Sequence, residues 1–103
     1  MKSAAMIGSE RIKEILHAEK PRLEKEYAVS KLLLFGSFAR GEQKRGSDID
    51  ILVGFSRSID FFRFIDLETD LAEKLGRKVD LVTEGALKPQ MKNRVLAEAV
   101  EVR

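Results

Sequence analysis

The sequence predicts an α+β fold, a two-layer arrangement in which the helices cover mainly one face of a small mixed sheet. Apolar runs of strand length occupy residues 29–35, 48–53 and 77–83. Apolar residues at helical spacing precede the first run and separate the second from the third, so the second and third strands can pair in parallel. Only about a dozen residues connect the first two strands, and so short a connection favours an antiparallel pair.

The first predicted element is a helix that follows a loose N-terminal start, residues 1–8. Ser9 is a plausible N-cap. The apolar residues that follow at helical spacing are Ile12, Ile15, Leu16 and Leu23. Pro21 lies inside this pattern. Because proline has no N–H and its ring clashes with the carbonyl four residues back, we expect it to kink or split the helix.

The first strand leads directly into a glycine-serine pair. Val29–Phe35 ends in four consecutive apolar residues, a pattern typical of a strand covered on both faces. Gly36 and Ser37 are expected to end this strand in a turn, and residues 38–40 to start a short helix. Residues 41–47 are polar and basic with a glycine at each end of the polar stretch, which predicts a loop.

The second strand, residues 48–53, is closed by Gly54 and leads into a further helix. Asp60 is the expected N-cap of this helix, and Gly76 is the residue expected to stop it. Its apolar stripe, which we expect to face the core, comprises Phe61, Phe64, Ile65, Leu71 and Leu75.

The C-terminal part of the chain predicts a third strand, a helix and an edge strand. Pro89 suits the first position of the helix, which is expected to end near Glu98. Met91 and Val95 are expected to turn inward from it. Residues 99–102 are expected to add a last edge strand.

Composition limits the class of protein. The 103 residues are expected to form a single domain, residues 1–103. The chain has 19 Lys and Arg against 17 Asp and Glu, a net charge of +2, and so balanced a charge does not point to nucleic acid as a partner. The lack of cysteine excludes disulfides and thiolate metal sites. A signal-peptide core and an apolar run of ~20 residues are also lacking, so we expect a cytoplasmic protein without a membrane span.

Two aspartates one residue apart introduce the second strand. Side chains two positions apart on a strand point to the same face, and their Cα atoms lie roughly 6.5–7 Å apart. Asp48 and Asp50 would therefore repel each other unless a cation lay between them. Hard divalent cations such as Mg²⁺ prefer such oxygen ligands. The pattern by itself is common, and one aspartate capping the loop while the other is solvated is the ordinary alternative.

A third aspartate adds weight to this interpretation. Asp80 lies between Val79 and Leu81, inside an apolar strand where aspartate is disfavoured. If its strand lies beside that of Asp48 and Asp50, three carboxylates converge on one patch. Such a group can hold two metal ions at the ~3.5–4 Å spacing used for phosphoryl displacement. Taken alone, Asp80 is more often an ordinary aspartate at a sheet edge.

The Gly36-Ser37 pair provides a complementary phosphate-binding element. A glycine after a buried strand lets the backbone approach a phosphate closely, and a serine hydroxyl can donate to a phosphate oxygen. Taken by itself, the pair is better explained as a plain turn, and no Walker sequence is present. Arg40, Lys44 and Arg45 could meet the charge of a triphosphate, or they could belong to a solvated loop.

The segments GSFARG, SDIDILV and VDLV, in this order and spacing, resemble the DNA polymerase β-type nucleotidyltransferase superfamily. More narrowly, the whole chain resembles the minimal nucleotidyltransferases. The resemblance implies a polymerase β-like palm that uses two Mg²⁺ ions and a nucleoside triphosphate. It further implies that Asp48 and Asp50 bind both metals, and that Asp80 binds the catalytic metal and helps to deprotonate the acceptor hydroxyl.

The same resemblance assigns the phosphate-binding residues. Gly36 and Ser37 would contact the β- and γ-phosphates of the nucleotide. Arg40 matches the arginine of the family, and one role open to it is to brace the loop that follows. None of these positions departs from the family pattern in a way that suggests an inactive copy.

The resemblance also implies a partner. Minimal nucleotidyltransferases are typically paired with a small helical HEPN protein, a ribonuclease toxin, and act as its antitoxin by transferring AMP from ATP to one of its tyrosines. Two alternatives stay open: a non-catalytic binding module that neutralises its partner by contact, and transfer to a small molecule. The shortness of the chain disfavours the small-molecule reaction. The sequence is compatible with a homo-oligomer or a hetero-oligomer.

Overall fold

A computed structural model describes residues 8–103, so the expectation of a loose start over residues 1–7 lies outside the described residues. Within residues 8–103, four helices, four strands and one 3₁₀ turn follow one another. Their bounds are α1 (Ser9–Tyr27), β1 (Val29–Phe35), α2 (Gly36–Arg40), β2 (Ile49–Phe55), α3 (Phe61–Leu75), β3 (Val79–Thr83), the 3₁₀ turn (Glu84–Ala86), α4 (Pro89–Glu98) and β4 (Val100–Val102).

The four strands form one mixed sheet in the order β3-β2-β1-β4. β1 is antiparallel to both of its neighbours, β2 and β4. β2 and β3 are parallel, with α3 as the connection between them. The predicted α+β class, the mixed sheet and the directions of the β1–β2 and β2–β3 pairs are therefore confirmed.

One hydrophobic cluster joins the helices to the sheet. The helices contribute Ile12, Leu16, Leu23, Tyr27, Phe38, Leu67, Leu71 and Leu75. The strands contribute Val29, Leu32, Leu34, Ile49, Ile51, Val53, Val79, Leu81 and Val102. Leu52, which points away from Ile51 and Val53, is buried outside this cluster. The helical layer thus covers mainly one face of the sheet, while the opposite face is also partly covered.

Helix α1 runs unbroken through Pro21, so of the two expected outcomes, a kink or a split, the split is wrong. Pro21 lies on the exposed side of the helix, where water can satisfy the carbonyl that loses its N–H partner. Leu16 and Leu23, on either side of the proline, are both buried and hold the two halves against the sheet. The N-cap is Gly8 and not Ser9, which already belongs to the helix.

An ion pair ties α1 to α3. The Arg22 guanidinium donates to the two oxygens of the Asp70 carboxylate at 2.9 and 2.7 Å, and the Tyr27 hydroxyl donates to the same group at 2.8 Å. The hydrogen bond from Arg22 is the main reason why the pKa of Asp70 is lowered. Burial, followed by the hydrogen bond to Asp70, raises the pKa of Tyr27 to about 12. These contacts fix the two helices relative to each other.

Helix α3 begins and ends as predicted, but a different face of the helix is buried. The Asp60 side chain accepts from the Arg63 N–H, and Gly76 ends the helix in the left-handed conformation. Phe61 and Ile65 are 70% and 39% exposed, so their predicted place in the core is wrong. The buried stripe follows Leu67, Leu71 and Leu75. At 100° per residue, Phe61 and Ile65 lie about 80° and 120° from the centre of that stripe.

The C-terminal elements match their predicted positions. Pro89 occupies the first turn of α4, and β4 forms the expected edge strand. Val95 is buried as predicted, but Met91 is 41% exposed, so its inward orientation was wrong. Val95 is the one residue of α4 that is buried. None of the helices in residues 8–103 combines the length and the apolar character needed to cross a membrane.

Candidate active site

The parallel pairing of β2 with β3 places Asp50 directly opposite Asp80. Their neighbours Ile49 and Ile51 are fully buried, and Val79 and Leu81 are nearly so. Because successive side chains on a strand point to opposite faces, the two aspartates share the face that is turned away from the helical layer. Neighbouring strands lie ~4.8 Å apart, so the two side chains stand next to each other.

Asp48 is placed differently from the prediction. β2 begins at Ile49, so Asp48 precedes the strand instead of opening it. Its carboxylate oxygen Oδ2 lies 3.8 Å from the Lys78 Nζ, and both side chains are well exposed. Within residues 8–103, no group of three acidic or histidine side chains is close enough to hold a metal ion. The structure therefore brings Asp50 and Asp80 together and leaves Asp48 turned towards Lys78.

The Asp50 carboxylate lies in an environment that disfavours its negative charge. Burial is the main cause, followed by the charges of Asp80 and then of Asp48, and together they raise its pKa to about 6. The positive charge of Arg40 opposes this shift only weakly, as the smallest contribution. Carboxylates crowded in this way are stabilised by a cation, because an opposite charge nearby favours the ionised form.

Gly36 forms the floor beneath the Asp50 side chain. Phe35 pairs with Asp50 across β1 and β2, which brings the next residue, Gly36, against the Asp50 carboxylate. Gly36 has a φ of +74°, and a Cβ added to it would lie 3.0 Å from Asp50 Cγ and 3.2 Å from Asp50 Cβ. Any other residue here would therefore be strained in its backbone and would collide with the carboxylate.

Ser37 lies in the first turn of α2, beside Gly36. Gly36 and Ser37 were expected to form a turn before the helix, but they are the first two residues of this short helix. Phe38 is fully buried and anchors α2 in the core. The Ser37 carbonyl accepts from the Glu42 N–H at 2.8 Å, which starts the following loop. Ser37 is thereby held within one residue of the Gly36 contact.

Arg40 braces the end of α2. Its guanidinium donates to Glu42 at 3.0 Å and to Glu98 of α4 at 3.2 Å. These two hydrogen bonds raise the pKa of Arg40, the one to Glu42 contributing more. The contacts agree with the bracing role that the sequence left open for this arginine.

The loop over residues 41–47 carries Lys44 and Arg45 as exposed side chains. The Arg77 guanidinium donates to three main-chain carbonyls of this loop, a role that the sequence analysis missed. The only sequence signal was a basic residue shortly before the strand of Asp80. A cavity of about 540 Å³, lined by Phe55, Ile59 and others, lies at the far end of β2 and contains none of the three aspartates.

Comparisons with known proteins find relatives of this chain in sequence and in fold. The polymerase beta nucleotidyltransferase family matches residues 10–102. Over 98 residues, the chain is 43% identical to the protein adenylyltransferase MntA of Thermococcus cleftensis, an alignment that spans 95% of this chain and 99% of that protein.

Two solved structures are similar in fold. One, provisionally described as a minimal nucleotidyltransferase, gives a TM-score of 0.79 at 30% identity and covers 94% of this chain and 98% of its own. The other, a toxin–antitoxin structure with AMP-PNP, gives a TM-score of 0.68 at 27% identity and covers 94% of this chain and 73% of its own.

Proposed function

Because the chain belongs to the polymerase beta nucleotidyltransferase family, we propose that it transfers AMP from ATP to a hydroxyl group of a partner protein. The observation that carries the proposal is the direct pairing of Asp50 with Asp80, one of them resting on Gly36. The relative from Thermococcus cleftensis is named a protein adenylyltransferase, and one structural neighbour was solved with AMP-PNP.

The residues of the site fit a divalent cation. Asp50 is a partly buried carboxylate whose pKa is raised by burial and by its acidic neighbours, so a cation between these groups would relieve the repulsion. Asp48, Asp50 and Asp80 would hold two Mg²⁺ ions. Asp48 is 42% exposed and has only a long contact to Lys78, so its side chain can turn towards the other two. When bound, the ions polarise the phosphate and neutralise the developing charge.

The chain's own residues then position the reactants. The backbone of Gly36 and the hydroxyl of Ser37 contact the β- and γ-phosphates, and Arg40 keeps α2 in place through Glu42 and Glu98. Asp80 accepts the proton of the acceptor hydroxyl. The acceptor oxygen bonds to the α-phosphorus, the bond from that phosphorus to the oxygen bridging to the β-phosphate breaks, and pyrophosphate leaves.

The proposed acceptor is a tyrosine of a small helical HEPN-type toxin, for which the chain acts as the antitoxin. This follows the family resemblance and the toxin–antitoxin structural neighbour. We place the reaction in the cytoplasm and assign it to residues 1–103 as one domain, since one hydrophobic cluster joins the helical layer to every strand of the sheet.

Calorimetric titration of ATP with Mg²⁺ tests the nucleotide site. We expect the double variant Asp48→Asn/Asp50→Asn to bind at least about tenfold more weakly than the wild type, a loss of ~1.4 kcal/mol. Asp66→Asn is the matched control, because Asp66 is 63% exposed on α3 and has only a 3.9 Å contact with Arg63. Equal binding by the wild type and the double variant would refute the carboxylate site.

A second experiment separates catalysis from neutralisation by contact. Asp80→Asn keeps the shape of the side chain and removes its charge. If the protein acts by AMP transfer, this variant no longer moves label from α-³²P-ATP to a HEPN partner and no longer protects cells from that toxin. Full protection without label transfer would instead favour an antitoxin that acts by binding alone.

A further inference from the structure

One side chain from outside the loop over residues 41–47 holds that loop closed. Arg77 donates from Nε to the Ser47 carbonyl at 2.8 Å. One of its terminal nitrogens donates to the Lys44 carbonyl at 3.0 Å and also to the Arg45 carbonyl. The loop pairs with no strand of the sheet, so without Arg77 the Ser47 and Arg45 carbonyls would depend on water.

The remaining contacts of the loop complete a compact turn. The Lys44 N–H donates to the Ser47 Oγ at 2.8 Å, and the Ser47 N–H donates to the Lys44 carbonyl at 3.0 Å. Immediately after the turn, the Ile49 N–H donates to the Lys78 carbonyl at 2.9 Å. Arg77 and its neighbour Lys78 therefore hold the turn and the start of β2 together, with Asp48 between them.

Arg77 also contacts the helix that carries the phosphate-binding residues. Its guanidinium carbon lies 5.5 Å from the ring centroid of Phe38, which is fully buried in α2. Asp80 lies three residues after Arg77 on β3. One guanidinium thus touches α2 and the loop and belongs to the segment leading into β3. Of these, α2 and β3 carry Gly36 and Asp80, the neighbours of the Asp50 carboxylate.

We propose that Arg77 is a positioning residue of the nucleotide site, which keeps the turn over residues 44–47 ordered before the nucleotide binds. This fixes Asp48, the residue that follows the turn, relative to the Asp50–Asp80 pair. The planar guanidinium offers several N–H donors in a fixed arrangement, whereas a lysine ammonium is a single point of contact. The inference rests on the proposed function for the identity of the ligand.

Limited proteolysis measures the order of the turn directly. Trypsin cleaves after Lys44 and Arg45, and the carbonyls of these two bonds are acceptors of Arg77. We expect Arg77→Met and Arg77→Lys to be cleaved there about tenfold or more faster than the wild type, because the carbonyls lose charge-assisted hydrogen bonds. Mass spectrometry of the fragments locates the cuts. Arg57→Met is the matched control, since Arg57 is exposed and lies beyond the opposite end of β2.

Titration of α,β-methylene-ATP, in which carbon replaces the oxygen whose bond the proposed reaction breaks, adds with Mg²⁺ a readout that a purely structural role would leave unchanged. We expect the two Arg77 variants to bind about fivefold or more weakly while they keep the wild-type circular dichroism spectrum, because part of the binding energy must then order the loop. Arg77→Lys keeps the net charge, so weaker binding by this variant reports on hydrogen-bond geometry. If both variants fail to fold, Ser47→Ala, which removes one bond inside the turn, is expected to change cleavage and binding in the same direction.

Faster cleavage after Lys44 and Arg45 together with weaker nucleotide binding supports the inference. Unchanged cleavage overturns it, because the guanidinium then does not hold the turn. Faster cleavage with unchanged affinity also overturns it, because the ordered turn then does nothing for the nucleotide. A wild type that binds no nucleotide refutes the proposed function, and the positioning role falls with it, while the cleavage rates still show whether Arg77 closes the loop.

Discussion

Substituting Gly36 by alanine tests the contact on which the candidate site is built. Gly36 has a φ of +74°, and its added methyl group would lie 3.0 Å from Asp50 Cγ. A non-glycine residue in this conformation costs roughly 1–2 kcal/mol. Overfilling a tight contact costs ~1–3 kcal/mol more. Since the partly exposed Asp50 side chain can move to some extent, we expect Gly36→Ala to lower the free energy of unfolding by about 2–4 kcal/mol.

Gly76→Ala is the matched control for backbone strain. Gly76 has a φ of +69°, and nothing lies within 4 Å of an added Cβ. It should therefore lose only the roughly 1–2 kcal/mol of the left-handed conformation. Urea unfolding in EDTA gives both values, and the difference between them isolates the collision with the Asp50 carboxylate.

A double-mutant cycle tests whether the added methyl group collides with the Asp50 carboxylate. In the Asp50→Ala background the carboxylate is gone and only the 3.2 Å contact with the Cβ at that position is left, so Gly36→Ala should lose most of its excess over Gly76→Ala. The reasoning fails if Gly36→Ala and Gly76→Ala are equally destabilising, or if the excess persists without the Asp50 carboxylate. Nucleotide binding should be lost in Gly36→Ala and retained in Gly76→Ala.

The remaining predictions concern charged groups. Asp70→Asn should lower the free energy of unfolding by about 2 kcal/mol, because it removes the charge and one of the two carboxylate oxygens that accept from Arg22 and Tyr27. Glu14→Gln, in an exposed pair with Arg11, should change it by less than ~0.5 kcal/mol, and similar losses in urea unfolding would contradict the ranking. The pKa of Asp70 is lowered in the folded state, so its ionised carboxylate stabilises the fold above pH 3.8, the ordinary pKa of the group, and this stabilisation is lost as the pH falls through the lower folded pKa. The free energy of unfolding of the wild type should therefore fall with pH in this acid range, and that of Asp70→Asn should not. The pKa of Asp50 is raised from 3.8 to about 6, so the metal-free protein should lose stability as the pH rises across that interval. Asp50→Asn should then be more stable than the wild type in EDTA at pH 7.5, by about 1–2 kcal/mol after allowance for solvent screening, and a less stable variant would disprove the repulsion.

Strand directions and most helix ends followed from local chemistry. The short connection from β1 to β2 and the helix between β2 and β3 set one pair antiparallel and the other parallel. Asp60 caps the start of α3 and Gly76 ends the helix, as the preferences of these two residue types predict. These features depend on a few neighbouring residues, which is why a single sequence was enough to predict them.

The orientation of α3 could not be predicted in the same way. Its apolar residues spread over more than one face, and the sequence does not show which face meets the sheet. Leu67, Leu71 and Leu75 are buried, while Phe61 and Ile65 face solvent. Similarly, Pro21 does not split α1, because the core residues on both sides of it hold the helix together. In both helices tertiary contacts outweighed local preference.

The sequence by itself determined the chemistry of the candidate site. It indicated the three aspartates and the Gly36-Ser37 pair, because an aspartate inside an apolar strand and a glycine directly after a buried strand are locally unusual. The tertiary structure alone decided which of them meet. The strand register puts Asp50 opposite Asp80, and the start of β2 at Ile49 leaves Asp48 beside Lys78.

Only the tertiary structure revealed what supports that site. Arg77 reaches carbonyls 30 or more residues away in the chain, and Gly36 is required because the Asp50 carboxylate lies against it. The arginine has no sequence signature for such a role, since its acceptors are main-chain carbonyls, which are present at every residue. Their positions relative to the donor exist only once the sheet has formed.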